Sequence, residues 1–256
     1  MMGMTMKNKW WISIVTAALG VMLLQSHAFA ADPLPNVDIS IGDGSEEPGT
    51  SALSLLLLIT VLSIAPAILV LMTSFTRIVI VLGFVRTSLG TQQMPPNQVL
   101  IGLAMFLTFF IMAPTFSQVN EVALQPYLKG EITQTVALEK AADPMKKFMI
   151  SHTREKDLLL FLNYTKTEKP EKYQDIPITV LVPAYAISEL KTAFQMGFMI
   201  FIPFLVIDMI VSSTLMAMGM MMLPPVMISL PFKLLLFVLV DGWYLIVKSL
   251  LLSFNT

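Results

Sequence analysis

Residues 55–114 read LLLLITVLSIAPAILVLMTSFTRIVIVLGFVRTSLGTQQMPPNQVLIGLAMFLTFFIMAP. From Ala52 to Met72 the chain is almost continuously apolar and about as long as the 20 residues that cross a bilayer. Pro66, near the middle, is an expected kink. The apolar character continues from Phe75 to Leu89, interrupted by Arg77 and Arg86. One helix over 52–89 would be about 55 Å long at 1.5 Å per residue, well beyond a hydrocarbon core. Gly90 and the pair Pro95-Pro96 break the run, Asn97 to Met112 resumes it, and Pro114 is expected to close it. The stretch predicts a first hydrophobic helical hairpin over 52–117 and an all-α fold.

Working outward, Phe194 to Met222 and Phe232 to Leu252 are again apolar, joined by Leu223-Pro224-Pro225 and nearby Pro231. They predict a second hairpin over 191–256. Between the hairpins, 118–190 is rich in Lys and Glu, with Pro170, Pro177 and Pro183 marking irregular stretches between short helices. This is the composition of a small water-facing domain. Ahead of the first hairpin, 31–51 is Pro, Gly, Asp and Glu, too polar to fold alone and read as a flexible lead. Residues 1–30 carry Lys7 and Lys9, an apolar core from Trp10 to Leu24, and the small-x-small site Ala28-Phe29-Ala30, the pattern of a cleaved signal peptide. An uncleaved first membrane helix is the alternative.

Arg77 and Arg86 follow the first apolar segment while Asp43, Glu46 and Glu47 precede it, so positive charge falls on the cytoplasmic side. The lead and the polar domain are then expected in the periplasm.

Hydrophobic residues make up 55% of the chain and charged residues 13%, a balance that belongs in a bilayer or a large apolar assembly. With a formal net charge of -1 there is no basic field to gather nucleic acid. The absence of Cys excludes disulfides, thiolate metal sites and thiol nucleophiles. His152 is the one histidine beyond the signal sequence, and no phosphate loop or HExxH pattern accompanies it. Asn163-Tyr164-Thr165 matches a glycosylation sequon and is read as chance. Nothing points to an enzyme, a cofactor or a metal.

Charges inside apolar segments are costly unless paired or wetted. Counted from the turn at Pro224, Asp208 and Asp241 stand at nearly equal heights on the two arms, and Lys233 about 10 Å nearer the turn. One hairpin would then set acid beside acid, whereas staggered copies would bring Asp208 of one level with Lys233 of the next. Local bonding of Asp208 to Ser212 is the competing reading. Beside the turn lie Met216, Met218, Met220, Met221 and Met222. Flexible, polarizable side chains suit a deformable seal, and ordinary helix-end packing is the alternative. In the polar domain, Phe148 and Phe161 suit either a small local core or contact between subunits, and Glu189 stands just before the second hairpin.

The quoted stretch, with FIPFLVIDMIV over 201–211 and GMMMLPP over 219–225, resembles the FliP family of flagellar type III export-gate subunits over nearly all of the chain after residue 30. That resemblance implies several copies assembling with FliQ and FliR into a right-handed helical oligomeric pore, completed by FlhB and FlhA. Unfolded flagellar export substrates would pass through it. It further implies hairpins that sit largely above the usual membrane plane, Met220, Met221 and Met222 as a pore gasket, and Phe148, Phe161 and Glu189 in the region joining copies. Membrane lipid is an expected partner and nucleic acid is not. The alternatives are an injectisome homologue, an ion channel or transporter, and a passive scaffold.

Overall fold

The computed structural model describes residues 70–254 apart from Gln92, 167–169, Glu171 and Met221, together with scattered helical positions between 56 and 67. The expected signal sequence and lead, 1–51, lie outside the described residues. The chain divides into Met1–Thr60 and Val61–Thr256, and the second unit holds the structure that follows. Its elements are α1 (Phe75–Leu89), α2 (Asn97–Val119), a π-helical turn (Asn120–Leu124), α3 (Gln125–Leu128), α4 (Gln134–His152), α5 (Glu155–Tyr164), a 3-10 turn (Tyr173–Asp175), α6 (Ile178–Ala217), α7 (Pro225–Leu239) and α8 (Gly242–Leu252). No strand occurs among the described residues, as the apolar runs require.

The overlong first segment is interrupted at Met72–Ser74 rather than at Pro66, which is helical. The break is held from outside: the Tyr185 hydroxyl on α6 donates to the Thr73 carbonyl at 3.0 Å. Such a side chain satisfies a backbone group that the helix no longer satisfies. At the far end α1 stops at Gly90, whose φ of +74° suits a residue without Cβ, and the Met94-Pro95 bond is cis.

Pro114 does not close α2. The helix runs through it, and with the π turn and α3 it extends over Asn97–Leu128, 32 residues. Proline removes one backbone donor, but leaving the helix in so apolar a segment would strand several polar groups, so the single defect is tolerated. Pro183 and Pro203 are likewise inside α6, a 40-residue helix about 60 Å long. Boundaries at 117/118 and 190/191 therefore fall within continuous helices.

That continuity places α6 in two cores. Val180, Leu181, Ala184 and Tyr185 pack with Met149 of α4, Leu158 and Leu162 of α5, and Ile176. Ala193 and Phe204 pack instead with Ile78, Val81, Leu82 and Val85 of α1, Leu100 and Ala104 of α2, Phe237 of α7 and Leu250 of α8. Gly197 permits the closest approach: a Cβ there would lie 2.4 Å from Cδ2 of Phe84. The polar domain and the apolar body are thus joined by a rigid rod rather than a linker.

Outside these cores much apolar surface is uncovered, including Phe106 at 78% and Phe110 at 70% exposure. A lone water-soluble chain rarely exposes so much. Two stretches, Asn97–Leu128 and Ile178–Ala217, are long and apolar enough to cross a membrane, and α7 with α8 would make a third if the pair, bent by 62°, is one span.

Candidate functional site

The α6–α7 hairpin carries the residues singled out by charge and by methionine content. Its tip starts where α6 ends at Ala217. Gly219, with φ at +76°, lets the Met220 N–H reach the Leu215 carbonyl at 3.0 Å and the Gly219 N–H reach Met216. This closure satisfies the last carbonyls of the helix. Residues 218–220 and 222–224 are therefore not helical, and α7 begins at Pro225.

This asymmetry overturns the expected register of the charges. Asp208 lies nine residues before the end of α6 and Lys233 eight residues after the start of α7, so the two are level within one chain. Counting every residue from Pro224 as helical had displaced them. Lys233 Nζ stands 2.6 Å from Asp208 Oδ2 and also donates to the Ser88 carbonyl of α1 at 3.2 Å. Ser229 Oγ, one turn before Lys233, donates to Asp208 Oδ1. The pairing of Asp208 and Lys233 is thus internal, with Ser229 rather than Ser212 as the hydroxyl partner. Asp241 is no longer level with either: α7 ends at Leu239, and Asp241, in the left-handed region at φ +50°, begins the bent segment α8.

With its ions compensated, the shaft presents apolar side chains, and the tip presents methionine. Met216, Met218, Met220 and Met222 are exposed, Met222 fully. Met221 lies outside the described residues. A helix end in ordinary packing would cover some of these side chains, and within one chain none of the four is covered.

A second ionic cluster pins the base of α6. Arg77 and Glu189 are 3% and 0% exposed. Arg77 Nε donates to Glu189 Oε2 at 2.8 Å and Nη2 to Oε1, a two-pronged pair. Nη1 donates to the Ser253 carbonyl at 2.9 Å and to its hydroxyl at 3.0 Å, and the guanidinium lies 3.9 Å above the Phe254 ring. Arg77 is therefore a buried helical residue, not a loop charge, and no longer counts toward orientation; Arg86, in the last turn of α1, bonds Asn97 across the α1–α2 turn.

Glu189, expected where copies join, is committed inside its own chain. Phe148 is half-buried between both cores, with ring centroids of His152, Tyr185 and Phe254 at 4.7, 6.1 and 6.3 Å. Phe161 packs against the polar-domain core. Both aromatics thus take part in local packing while staying only partly buried. Ser88, Ser229, Tyr185, Ser253 and Phe254 were not anticipated. The usable signal was the pair of unmatched ions, Arg77 in an apolar run and Glu189 at the edge of another.

At the α5–α6 junction, burial favours the neutral acid of Asp157. The hydrogen bond from Ser188 and the charge and hydrogen bond of Arg154 outweigh it, and the carboxyl is held below its ordinary value of 3.8. Among the described residues no group of three or more His, Cys, Asp and Glu is placed to hold a metal ion.

The geometry is that of an apolar, internally neutralised hairpin with a soft tip on a rigid mixed base. Residues 58–250 match the FliP family. The chain is 70% identical to the flagellar biosynthetic protein FliP of Bacillus subtilis over 220 residues, 86% of this chain and 100% of that one. It is 47% identical to the protein of that name from Pectobacterium carotovorum over 93% of this chain and 91% of the relative. Against that from Aquifex aeolicus the identity is 44%, covering 93% and 99%. The chain belongs to the FliP family.

Proposed function

We propose that several copies of this chain form the gate through which unfolded flagellar proteins leave the cytoplasm, with the α6–α7 tips converging to close it. The family and the long apolar helices make the chain a membrane component of flagellar export. The observation that supports a gate is the tip itself: exposed methionines on a shaft in which the charges beyond Lys191, Asp208 and Lys233, cancel each other. Unbranched thioether side chains can yield around an irregular polypeptide and close again behind it. Met220, Met221 and Met222 would form that gasket, in a pore of staggered hairpins.

Phe148 and Phe161 keep uncovered edges that would meet a neighbouring copy, while Glu189 would act on that joint through the fold that Arg77 holds. FliQ, FliR, FlhB and FlhA would complete the apparatus in the inner membrane of the basal body, with the polar domain on the periplasmic side. An ion channel drew its support from Asp208 and Asp241, and half of that support is removed by the Lys233 pairing. The relatives named are flagellar, which favours export of flagellar proteins over an injectisome role. A photo-crosslinking residue placed at Met222 tests the reading. Capture of an exported protein during secretion supports the gate, and capture of neighbouring gate subunits alone opposes it.

A further inference from the structure

The first apolar segment leaves helix at Met72–Ser74 and re-enters it at Phe75, yet no proline or glycine lies between Pro66 and Gly83. A helix broken without such a residue has a side chain inserted into its hydrogen-bond ladder. Here two hydroxyls enter. The Thr73 carbonyl, which an unbroken helix gives to the Arg77 N–H, accepts from the Tyr185 hydroxyl at 3.0 Å. The Val70 carbonyl, which an unbroken helix gives to the Ser74 N–H, accepts from Thr76 Oγ1 at 3.2 Å and Thr73 Oγ1 at 3.5 Å. The hydroxyl of Ser74 is left over: the residue is fully buried and its Oγ has no partner.

In an unbroken helix Ser74 Oγ stands one turn from the Val70 carbonyl and donates to it. The broken form therefore satisfies Tyr185 and leaves Ser74 orphaned, and the unbroken form does the reverse. Tyr185 is itself fully buried, so its hydroxyl needs a partner, and Met72 packs against the same polar-domain core. One turn further along α6, Glu189 holds Arg77, one turn further along α1. Both contacts that pin this stretch thus come from α6. Ahead of the break Leu62, Ile64, Val70 and Leu71 are exposed, and these side chains give up no packing if their segment turns.

We infer that Met72–Ser74 is a two-state hinge latched by Tyr185. When α6 moves and withdraws the hydroxyl, the helix closes its own ladder through the break, and the segment ahead of it swings into line with α1. Tyr185 and the start of the methionine tip stand on one continuous helix, so a displacement at either end of α6 reaches the other. The hinge does not depend on the tip closing a pore.

The test measures the hinge in the full chain in detergent. The chain has no Cys, so nitroxides on Ile64→Cys and Thr87→Cys report one distance by double electron–electron resonance. An unbroken helix sets these positions about 35 Å apart. The otherwise unaltered chain is expected to show one population shorter than that. Y185F keeps the ring and removes the latch, and is expected to raise the ratio of the 35 Å population to the shorter one about tenfold. T76V, which frees the Val70 carbonyl without touching Tyr185, is expected to raise it about fivefold. S74A removes the hydroxyl that favours the unbroken form, so Y185F/S74A is expected to return toward the shorter distance. Circular dichroism checks that each variant stays helical. A 35 Å distance before any latch is removed overturns the inference, as does an unchanged distribution in both Y185F and T76V. Broadening in Y185F that S74A does not reverse also overturns it, since that is local disorder rather than a second helical state.

Discussion

The ammonium of Lys233 on α7 lies 2.6 Å from the carboxylate of Asp208 on α6, inside a single chain. Lys233 is 3% exposed, so its charge has no recourse to water if the acid is lost. Breaking a buried pair by removing one partner costs about 3 kcal/mol or more, chiefly the penalty on the ion left behind. Asp208→Asn is therefore expected to lower the unfolding transition of the isolated chain in detergent, by an amount independent of protein concentration. A loss confined to the oligomer would place the pairing between copies instead.

The Arg77–Glu189 pair ties α1 to α6 and receives the end of the chain at Ser253 and Phe254. Glu189→Gln leaves a buried guanidinium without its counter-charge and is expected to destabilise by about 3 kcal/mol. Phe254→Ala, which removes a ring 8% exposed, is expected to cost a similar amount, about 3 kcal/mol. Because both act on one cluster, the double variant should cost less than the sum. Strict additivity in thermal denaturation would show that the C-terminal segment does not act through Arg77.

The α1–α6 contact depends on Gly197 having no side chain. A methyl group there meets Phe84 at 2.4 Å, closer than van der Waals contact allows. Gly197→Ala is expected to destabilise by about 2 kcal/mol, and adding Phe84→Ala should recover part of the loss by making room. If the double variant is no better than the single in chemical denaturation, the two helices do not meet through this pair.

Where the sequence could be read, it was read by composition and by breakers. The apolar runs, the polar middle, Gly90 and the Pro95-Pro96 break have local causes, and the structure keeps them. Pro114 and Pro183 misled because a proline in an apolar helix costs one bond, whereas ending the helix there would strand several. The level of Asp208 against Lys233 was illegible for a different reason. It depends on where the tip leaves helix, which the Gly219 closure decides at the end of α6. Glu189 and Arg77 lie 112 residues apart, and no local pattern announces such a pair.

The low-lying carboxyl of Asp157 fixes the sign of a pH effect. A carboxyl whose folded pKa is depressed stabilises the fold above the unfolded value and loses that contribution as pH falls through the folded one. The stability advantage of wild type over Asp157→Asn is therefore expected in full at neutral pH and should fade below 3.8. Denaturant titrations across the acid range measure it, and an advantage that grew on acidification would contradict the Ser188 and Arg154 contacts as its source.

The central claim is that the methionine tip closes a pore. Cells carrying the chain with Met220→Ala, Met221→Ala and Met222→Ala together measure it most directly, through leakage of small solutes across the inner membrane at normal levels of assembled complex. The expected result is a leak absent from wild type and from the corresponding triple Leu variant, since Leu restores bulk at the tip and Ala does not. An assembled triple Ala complex as tight as wild type would contradict the account and leave the tip as packing alone.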